Sequence, residues 1–293
     1  NVLSSRQKNK ILSVLSRECE VRGTDATGIA FNFGNHIRIY KRPLAASKMH
    51  LHIPNGVNVI MGHTRMATQG NAKLNFNNHP WSVGSFALAH NGVLRNDKDL
   101  RKTMRLPDTH IETDSYIAVQ LLQNERKLDM HSLRNMAEAV EGSFVFTILD
   151  RNDDLYFVRG NNPLAIYCYR GFFLYASTAE ILDRTERKLR LRHYNTIPTE
   201  EGDILQIDHT GRQTWGHFIP QHSWSHLWRG FSIFSEASDY PEMDYLLEAA
   251  NTMGVPQDEV KTLLDFGYDT DEIEGLLYEP SKLHETVYTL LYT

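Results

Sequence analysis

The sequence has few of the features that mark secreted, membrane-embedded or nucleic-acid-binding proteins. It contains only two cysteines, Cys19 and Cys168, too few for a disulfide framework. Its net charge of −5 provides no basic surface for nucleic acid or for an acidic membrane. No apolar run reaches the length of a membrane span, and no signal-peptide core is visible. We therefore expect a cytoplasmic protein without nucleic-acid or membrane partners, in which both cysteines are structural.

Nucleotide-binding motifs are also missing. Neither the dinucleotide pattern GxGxxG nor the phosphate-loop pattern GxxxxGKS/T occurs, so a nucleotide-binding fold has no support. The group His217, His222 and His226 lacks a local acid or cysteine that would complete a metal site. We expect neither a metal nor a cofactor. The chain does have ample core material, since 41% of its 293 residues are hydrophobic, and it is long enough for one large domain with an appendage.

The first part of the chain shows hairpins and helices in turn. A helix capped by Ser4 or Ser5 is predicted up to about Glu20, and a hairpin follows at 29–40. Apolar periodicity predicts one meander of strands at 143–149, 155–159, 164–169 and 172–176, a later hairpin at 203–218, and helices at 112–125, 131–140 and 179–187. Antiparallel hairpins with helices clustered between them predict an α+β fold, with helices packed outside two stacked sheets.

Two further strands are predicted to end in polar residues. Gly56–Ile60 is apolar enough for one buried strand, and the stretch Met61–Gly70, MGHTRMATQG, follows it. Ser85–Ala89 is predicted as another buried strand, followed by His90-Asn91-Gly92. Polar groups at the end of a buried strand do not fill a core, so they are candidates for function.

These groups match the chemistry of an amino acid. The Arg65 guanidinium and the Thr68 hydroxyl suit a carboxylate, and the Asp114 carboxylate suits an ammonium group. The Asn91 amide and the Gly92 backbone N–H form a pair of oxyanion donors. Each group also has a structural interpretation: Arg65 as the partner of an acid at a strand end, Asp114 as a helix cap, and Asn91-Gly92 as a turn.

Eight short segments, spread over roughly residues 5–210, match one known family in their order. The segments are RGTDATGIA (22–30), GHTRMATQG (62–70), NNHPW (77–81), AHNGVLRN (89–96), ETDS (112–115), EGSFVFTILD (141–150), LYFVRGNNPLAI (155–166) and YASTAEIL (175–182). Together they resemble the class II glutamine amidotransferase domain, an N-terminal-nucleophile hydrolase. The resemblance implies an αββα four-layer sandwich, which agrees with the predicted elements.

The resemblance also implies a role for each of the five candidate residues. Arg65 and Thr68 correspond to the residues that bind the α-carboxylate of glutamine. Asp114 corresponds to the partner of its α-amino group. Asn91 and Gly92 correspond to the oxyanion hole.

Other positions correspond to the surroundings of that site. Arg22 matches an arginine close to the nucleophile, and His63 and His79 match motif positions that we expect to support the site rather than to catalyse. Two residues depart from the family pattern. Gln69 replaces a usual histidine and Met66 a usual tryptophan, and both would reshape the wall of the pocket.

The nucleophile that the family uses is not among these residues. The implied reaction is hydrolysis of the glutamine side-chain amide through a γ-glutamyl thioester on an N-terminal cysteine, whose own α-amino group is the base. The family opens with Cys-Gly-Ile-Phe-Gly on a central strand, whereas this chain opens with a helix. We expect that about ten residues precede Asn1 in the natural protein. The alternative is a homologue that binds glutamine without cleaving it.

The composition changes near Ile219. We expect an amidotransferase-like domain at 1–232, with a surface linker from about 219, and a small helical module at 238–293. Helices are predicted at 241–253, 256–266, 269–278 and 282–291. The module is too small for a synthase domain, so we expect it to bind a protein partner or to self-associate.

The residues and the resemblance together predict an enzyme that releases ammonia from L-glutamine or a γ-glutamyl compound. Two alternatives remain open. One is a γ-glutamyl amide hydrolase without an ammonia acceptor, and the other is an inactive ligand-binding or scaffold homologue. The ammonia acceptor and the oligomeric state cannot be predicted from these residues.

Overall fold

The computed structural model describes residues 3–125, 127–220, 246, 247, 250, 255–277 and 279–292. The chain divides into two compact units, Asn1–Gln221 and His222–Thr293. The boundary predicted at 232–238, the histidines at 222 and 226 and most of the helix predicted at 241–253 lie outside the described residues, so the domain limits stay predictions. No helix in the described part of the chain is long and apolar enough to cross a membrane.

The described residues of the first unit form five α-helices and twelve strands. The helices are α1 (Ser5–Glu18), α2 (Asp97–Thr103), α3 (Tyr116–Asn124), α4 (Met130–Ala139) and α5 (Ala179–Leu189). The strands are β1 (Ala26–Phe33), β2 (His36–Arg42), β3 (Ile60–Arg65), β4 (Trp81–Val83), β5 (Phe86–Leu94), β6 (Gly142–Asp150), β7 (Leu155–Arg159), β8 (Ala165–Tyr169), β9 (Phe172–Ala176), β10 (Asn195–Thr196), β11 (Asp203–Ile207) and β12 (Gln213–His217). They pair in three sheets, ordered β2-β1-β3, β10-β8-β9 and β12-β11-β7-β6-β5-β4.

These elements stack in four layers. Helix α1 packs on the outer face of the first sheet through Leu12 and Ile29, and α5 packs on β8 and β9. The two small sheets face the six-stranded sheet, where Met61 of β3 meets Ala87 of β5. Helices α3 and α4 cover the opposite face of that sheet, with Leu133 in the largest core cluster. The predicted αββα sandwich is confirmed.

Side-chain alternation along β5 decides which layer each residue faces. Phe86 and Leu88 belong to the core beneath α3 and α4, whereas Ala87 and Ala89 belong to the core between the stacked sheets. Successive side chains of a strand point to opposite faces. The side chains of the polar residues that continue β5 therefore also point alternately toward the one core and the other.

The predicted ends of two strands are wrong. The strand predicted at Gly56–Ile60 begins only at Ile60 and runs through the polar residues to Arg65. The strand predicted at Ser85–Ala89 likewise continues through His90-Asn91-Gly92 to Leu94. Both are paired along these polar stretches, β3 with β1 and β5 with β6. Backbone ladders form independently of side-chain polarity, so polar side chains alone do not end a strand.

Two other predictions need correction. The four strands β6 to β9 do not form one meander, because β6 and β7 pair in the six-stranded sheet while β8 and β9 pair in another. The helix predicted from Glu112 begins only at Tyr116, after a turn that contains Thr113 and Asp114. By contrast, the helix from Ser4 is confirmed with its N-cap, since Ser4 and Gln7 form a capping box.

The second unit contains three helices among its described residues: α6 (Gln257–Asp265), α7 (Thr270–Leu277) and α8 (Pro280–Tyr292). Each was predicted at this place. They share a core of their own, in which Val260, Leu263, Ile273 and Leu283 are fully buried. The apolar faces of these helices are thus packed against one another.

Candidate active site

The candidate residues lie on β3, on β5 and in the segments beside them. Met61, His63 and Arg65 share the inner face of β3 because strand side chains alternate. The ring Nε2 of His63 lies 2.8 Å from the backbone carbonyl of His90 on β5. This contact joins the two polar stretches that the sequence places 27 residues apart.

Arg65 is buried, with 3% of its surface exposed. Its Nη1 donates to Asn78 Oδ1 at 2.7 Å, and its Nη2 lies within hydrogen-bond distance of the Gln69 and Gly70 carbonyls and of Thr113 Oγ1. None of these acceptors is charged, and Arg65 forms no ion pair with a carboxylate of the described residues. Burial lowers its pKa, and the more distant charges of Asp114 and Asp25 oppose that shift. The structural interpretation of Arg65 as a directly paired strand-end arginine therefore has no support.

Asp114 is also buried, with 2% exposed. Its Oδ2 accepts a 2.6 Å bond from the Leu94 N–H, and its Oδ1 accepts a 3.2 Å bond from the Ser115 hydroxyl. Burial raises its pKa, while the bonds from Leu94 and Ser115 and the charge of Arg65 act in the opposite direction. The carboxylate thus binds the end of β5 rather than capping α3, which begins at Tyr116.

Asn91 and Gly92 lie in the middle of β5 and not in a turn. Asn91 Oδ1 accepts a 3.1 Å bond from Arg22 Nη2, so its Nδ2 is the donor end of the amide. That Nδ2 is buried and has no partner among the described residues. Gly92 has φ 136°, and a Cβ there would lie 2.0 Å from the Ser143 carbonyl. Glycine is required at this position because the neighbouring strand approaches so closely.

Three histidines, His63, His79 and His90, lie close to one another beside these residues. The rings of His63 and His79 are 4.2 Å apart, and His79 is 4.2 Å from Trp81. Burial lowers the pKa of His63 to about 3 and of His90 to about 4, and it holds the pKa of His79 well below the usual value. All three are neutral at neutral pH and poorly suited to accept a proton there.

The remaining candidates occupy the loop after β3. Thr68 is exposed. Gln69 donates from Nε2 to the Glu112 carbonyl at 2.9 Å, and its side chain also bonds Asp97 on α2. Arg65 and Gln69 are joined through the Gln69 carbonyl, whereas Thr68 makes no hydrogen bond with the described residues that would fix it against Arg65.

A cavity of about 640 Å³ opens beside Arg22 and Asn91, between the stacked sheets. His63 also lines it. Arg65, Thr68 and Asp114 do not, so the structure does not bring the carboxylate and ammonium candidates into the same cavity as the oxyanion candidate.

Four residues of the site carry contacts that sequence reasoning missed. Asn78 binds Arg65, Ser115 and His90 lie beside Asp114, and Asn162 Nδ2 donates 2.9 Å to the Asn91 carbonyl. All four fall within the segments NNHPW, ETDS, AHNGVLRN and LYFVRGNNPLAI. The family segments therefore indicated where in the sequence these residues lie, but the residue types alone did not predict which atoms would be in contact.

Comparison with known proteins identifies a family for part of this chain. The family described as "Glutamine amidotransferase domain" matches residues 63–184. A glutamine–fructose-6-phosphate aminotransferase (isomerizing) from Streptococcus pyogenes is 26% identical over 224 residues, covering 72% of this chain and 37% of the relative. The enzyme of the same name from Sulfolobus acidocaldarius is 31% identical over 182 residues, covering 56% and 30%. This chain thus spans about a third of the length of these relatives.

Solved structures share the fold at low sequence identity. The glutamine phosphoribosylpyrophosphate amidotransferase from B. subtilis has a TM-score of 0.56 and 17% identity, covering 94% of this chain and 62% of that one. A structure described as the allosteric regulatory enzyme of purine biosynthesis has a TM-score of 0.60 and 16% identity, covering 93% and 60%. The likeness in fold joins the likeness in sequence to one conclusion: this chain contains a class II glutamine amidotransferase domain with the N-terminal-nucleophile hydrolase fold.

Proposed function

We propose that this domain hydrolyses the side-chain amide of L-glutamine, or of a closely related γ-glutamyl compound, and releases ammonia. The observation that carries the proposal is Arg65, a buried guanidinium without a carboxylate partner among the described residues. A buried charge is costly unless it is paired. The α-carboxylate of an amino acid would supply the missing partner and form a charge-assisted bond.

Asp114 would bind the α-ammonium group of the same substrate. Its carboxylate has about four acceptor positions, of which Leu94 and the backbone and hydroxyl groups of Ser115 occupy three. The remaining position suits an ammonium N–H. Thr68, in the loop after β3, would add a hydroxyl to the carboxylate.

Asn91 and Gly92 would stabilise the oxyanion. The Asn91 Nδ2 is a buried donor without a partner among the described residues, and Arg22 holds the other end of this amide. When a thiolate attacks the amide carbon, the carbonyl oxygen becomes negative and accepts from Nδ2 and from the Gly92 N–H. As this intermediate collapses, the C–N bond breaks and the nitrogen takes up the proton that the α-amino group had removed from the thiol, so that it leaves as ammonia. The γ-glutamyl thioester that remains is hydrolysed by water to glutamate and the free thiol.

Neither cysteine of the chain suits the role of nucleophile. Burial raises the pKa of Cys19 to about 12, and burial likewise raises the pKa of Cys168. A thiol of high pKa is a poor source of thiolate. We propose that the attacking thiol belongs to a cysteine at the N-terminus of a segment outside these 293 residues.

The cavity between the sheets supports this proposal by its shape. It is bounded by β3 and β9, each an edge strand of its sheet among the described residues. The Gly62 N–H of β3 donates to the Tyr175 hydroxyl of β9 at 3.2 Å, so a side chain bridges two strand edges that belong to different sheets. An extended segment placed here would pair with both edges and end beside Arg22 and Asn91, which line the same cavity.

Ammonia release from glutamine by the natural full-length protein tests the proposal. Arg65→Gln and Asp114→Asn should each lower kcat/KM at least about a hundredfold, because each leaves one charge of the substrate unpaired. Arg38→Gln, at an exposed position on β2, is the matched control and should be neutral. Full activity in both site variants would refute this substrate site.

The same assay separates the alternatives. Glutamine that binds by calorimetry without release of ammonia would favour an inactive ligand-binding homologue. Ammonia release from other γ-glutamyl amides, with glutamine a poor substrate, would favour the γ-glutamyl amide hydrolase.

A further inference from the structure

A buried chain of hydrogen bonds joins His90 to Asp114 through one hydroxyl. His90 Nδ1 lies 2.6 Å from Ser115 Oγ, and Ser115 Oγ lies 3.2 Å from Asp114 Oδ1. All three residues are only 2% exposed, so water cannot replace these bonds. The other ring nitrogen of His90, Nε2, lies 3.2 Å from the Ser143 carbonyl.

The single proton of the Ser115 hydroxyl couples the two ends of this chain. If the hydroxyl donates to an ionised Asp114, its oxygen must accept from an Nδ1–H of His90. If His90 carries its proton on Nε2 and donates to the Ser143 carbonyl, Nδ1 must accept the hydroxyl proton and Asp114 loses that bond. The tautomer of His90 and the charge on Asp114 are therefore linked.

We propose that Ser115 and His90 are positioning residues for the amino-acid site, which keep Asp114 ionised and oriented toward the α-ammonium group of the substrate. This inference rests on the proposed function, since it assigns the α-ammonium group to Asp114. It adds a specific role for a neutral histidine that makes no contact with the substrate. The Nδ1–H tautomer is the one that serves this role. It leaves Nε2 without a proton 3.2 Å from the Ser143 carbonyl, so the bond to an ionised Asp114 must outweigh the lost bond to that carbonyl.

The charged and titratable groups around the chain fit this assignment. Arg65 on β3 favours the ionised form of Asp114, whereas Asp97 on α2 and burial disfavour it. His79, whose ring is 6.5 Å from that of His90, is neutral, and the His63 ring nitrogen bonds the backbone carbonyl of His90. One arginine thus favours the charge on Asp114 and one buried acid, Asp97, opposes it, and the Ser115 hydroxyl is among the groups that favour this charge.

The test is the pH dependence of glutamine binding, measured by calorimetry on the full-length protein, for the wild type, Ser115→Ala and Ser115→Thr. Loss of a hydrogen bond to a carboxylate should raise the pKa of Asp114 by about one pH unit or more. At high pH, Ser115→Ala should then bind glutamine about as tightly as the wild type. As the pH is lowered, its affinity should begin to fall at a pH about one unit higher than in the wild type. Ser115→Thr, which keeps the hydroxyl, should restore the wild-type profile.

Several outcomes would overturn the inference. A Ser115→Ala variant that is weakened equally at every pH would indicate a merely structural role, and an unchanged profile would remove the coupling. The ¹³C titration of the Asp114 carboxyl in the free protein reports the same shift without substrate, so it stands even where wild-type protein binds no glutamine and the proposed function fails. Long-range ¹H–¹⁵N spectra should show His90 as the Nδ1–H tautomer above the Asp114 pKa; the Nε2–H tautomer there would refute the proposal.

Discussion

At Gly92 the fold and the proposed chemistry both require a residue without a side chain. The backbone has φ 136°, and a Cβ would lie 2.0 Å from the Ser143 carbonyl and 2.7 Å from Asn162 Nδ2. Asn162 in turn holds the Asn91 carbonyl. The packing of β5 against β6 therefore fixes the two oxyanion candidates through backbone proximity, and a residue of any other type would displace them.

We predict that Gly92→Ala lowers the free energy of unfolding by at least about 2 kcal/mol, from backbone strain and overpacking together. Urea denaturation measures the change, and ammonia release should be lost even where the variant is folded. The matched control is Gly84→Ala in the β4–β5 turn, at φ 57° with open space around the new Cβ, which should cost only about 1 kcal/mol. Equal losses in the two variants would contradict the role of the close approach.

The buried histidines make stability depend on pH. The folded pKa of His90 is about 4 and of His63 about 3, and that of His79 is also far below its unfolded value. Groups with a lowered folded pKa stabilise the fold above the unfolded pKa of about 6.5, and this stability is lost as the pH falls below it, since the unfolded chain then binds more protons.

We therefore predict that the unfolding free energy declines between about pH 6.5 and pH 4, with each buried histidine contributing up to about 1.4 kcal/mol per pH unit. His79→Phe should reduce the slope of the unfolding free energy against pH by the contribution of one histidine. Both ring nitrogens of His79 lack partners among the described residues, so an apolar ring sacrifices no hydrogen bond there. His36→Gln on exposed β2 is the control. An identical slope in wild type and His79→Phe, from urea titrations at several pH values, would show that His79 does not contribute.

At the scale of elements, β3 is an edge strand: the backbone groups on one side pair with a neighbouring strand, and those on the other side do not pair with any strand in the described part of the chain. Its inner neighbour is β1, paired from Ala26↔Arg65 to Phe31↔Ile60. On the open side the Gly62 N–H reaches only the Tyr175 hydroxyl. Because backbone groups alternate along an antiparallel strand, the Thr64 N–H also points to the open side.

We predict that the Thr64 amide exchanges with solvent far faster than the amides of Met61 and His63 in the 293-residue chain. In the full-length protein an added strand should protect it. Hydrogen exchange followed by NMR measures both states, with the amides of β5 as internal reference, since β5 is paired with β4 and β6 in either case. Equal exchange of Thr64 in the two proteins would mean that nothing pairs with the open edge of β3.

Elements with clear apolar periodicity could be predicted from sequence, and the site could be predicted only in part. Helix α1 has a capping box at Ser4, and α5 and the hairpin β11–β12 show regular patterns, so local physics suffices there. The ends of β3 and β5 could not be predicted, because their polar residues are held by pairing with distant strands. The contact between His90 and Ser115, 25 residues apart, likewise depends on the fold rather than on any local pattern.

At the scale of the whole molecule, each compact unit has its own hydrophobic core. Leu133 on α4 is fully buried in the largest core of the first unit. Leu263 on α6 is fully buried in the core formed by α6, α7 and α8. A helical unit of this size buries little apolar surface, so its stability is expected to be marginal.

We predict that calorimetry resolves two unfolding transitions, and that a core substitution in one unit moves only its own transition. Leu→Ala at a fully buried position costs about 2–5 kcal/mol. Leu263→Ala should therefore abolish the transition of the smaller unit while ammonia release and the larger transition persist. Leu133→Ala is the matched substitution and should lower the larger transition alone, by several degrees, because the same loss is a smaller fraction of a larger unfolding entropy. A single transition that shifts in both variants would mean that the two cores unfold as one, and the helical unit would then be part of the catalytic fold rather than a separate module.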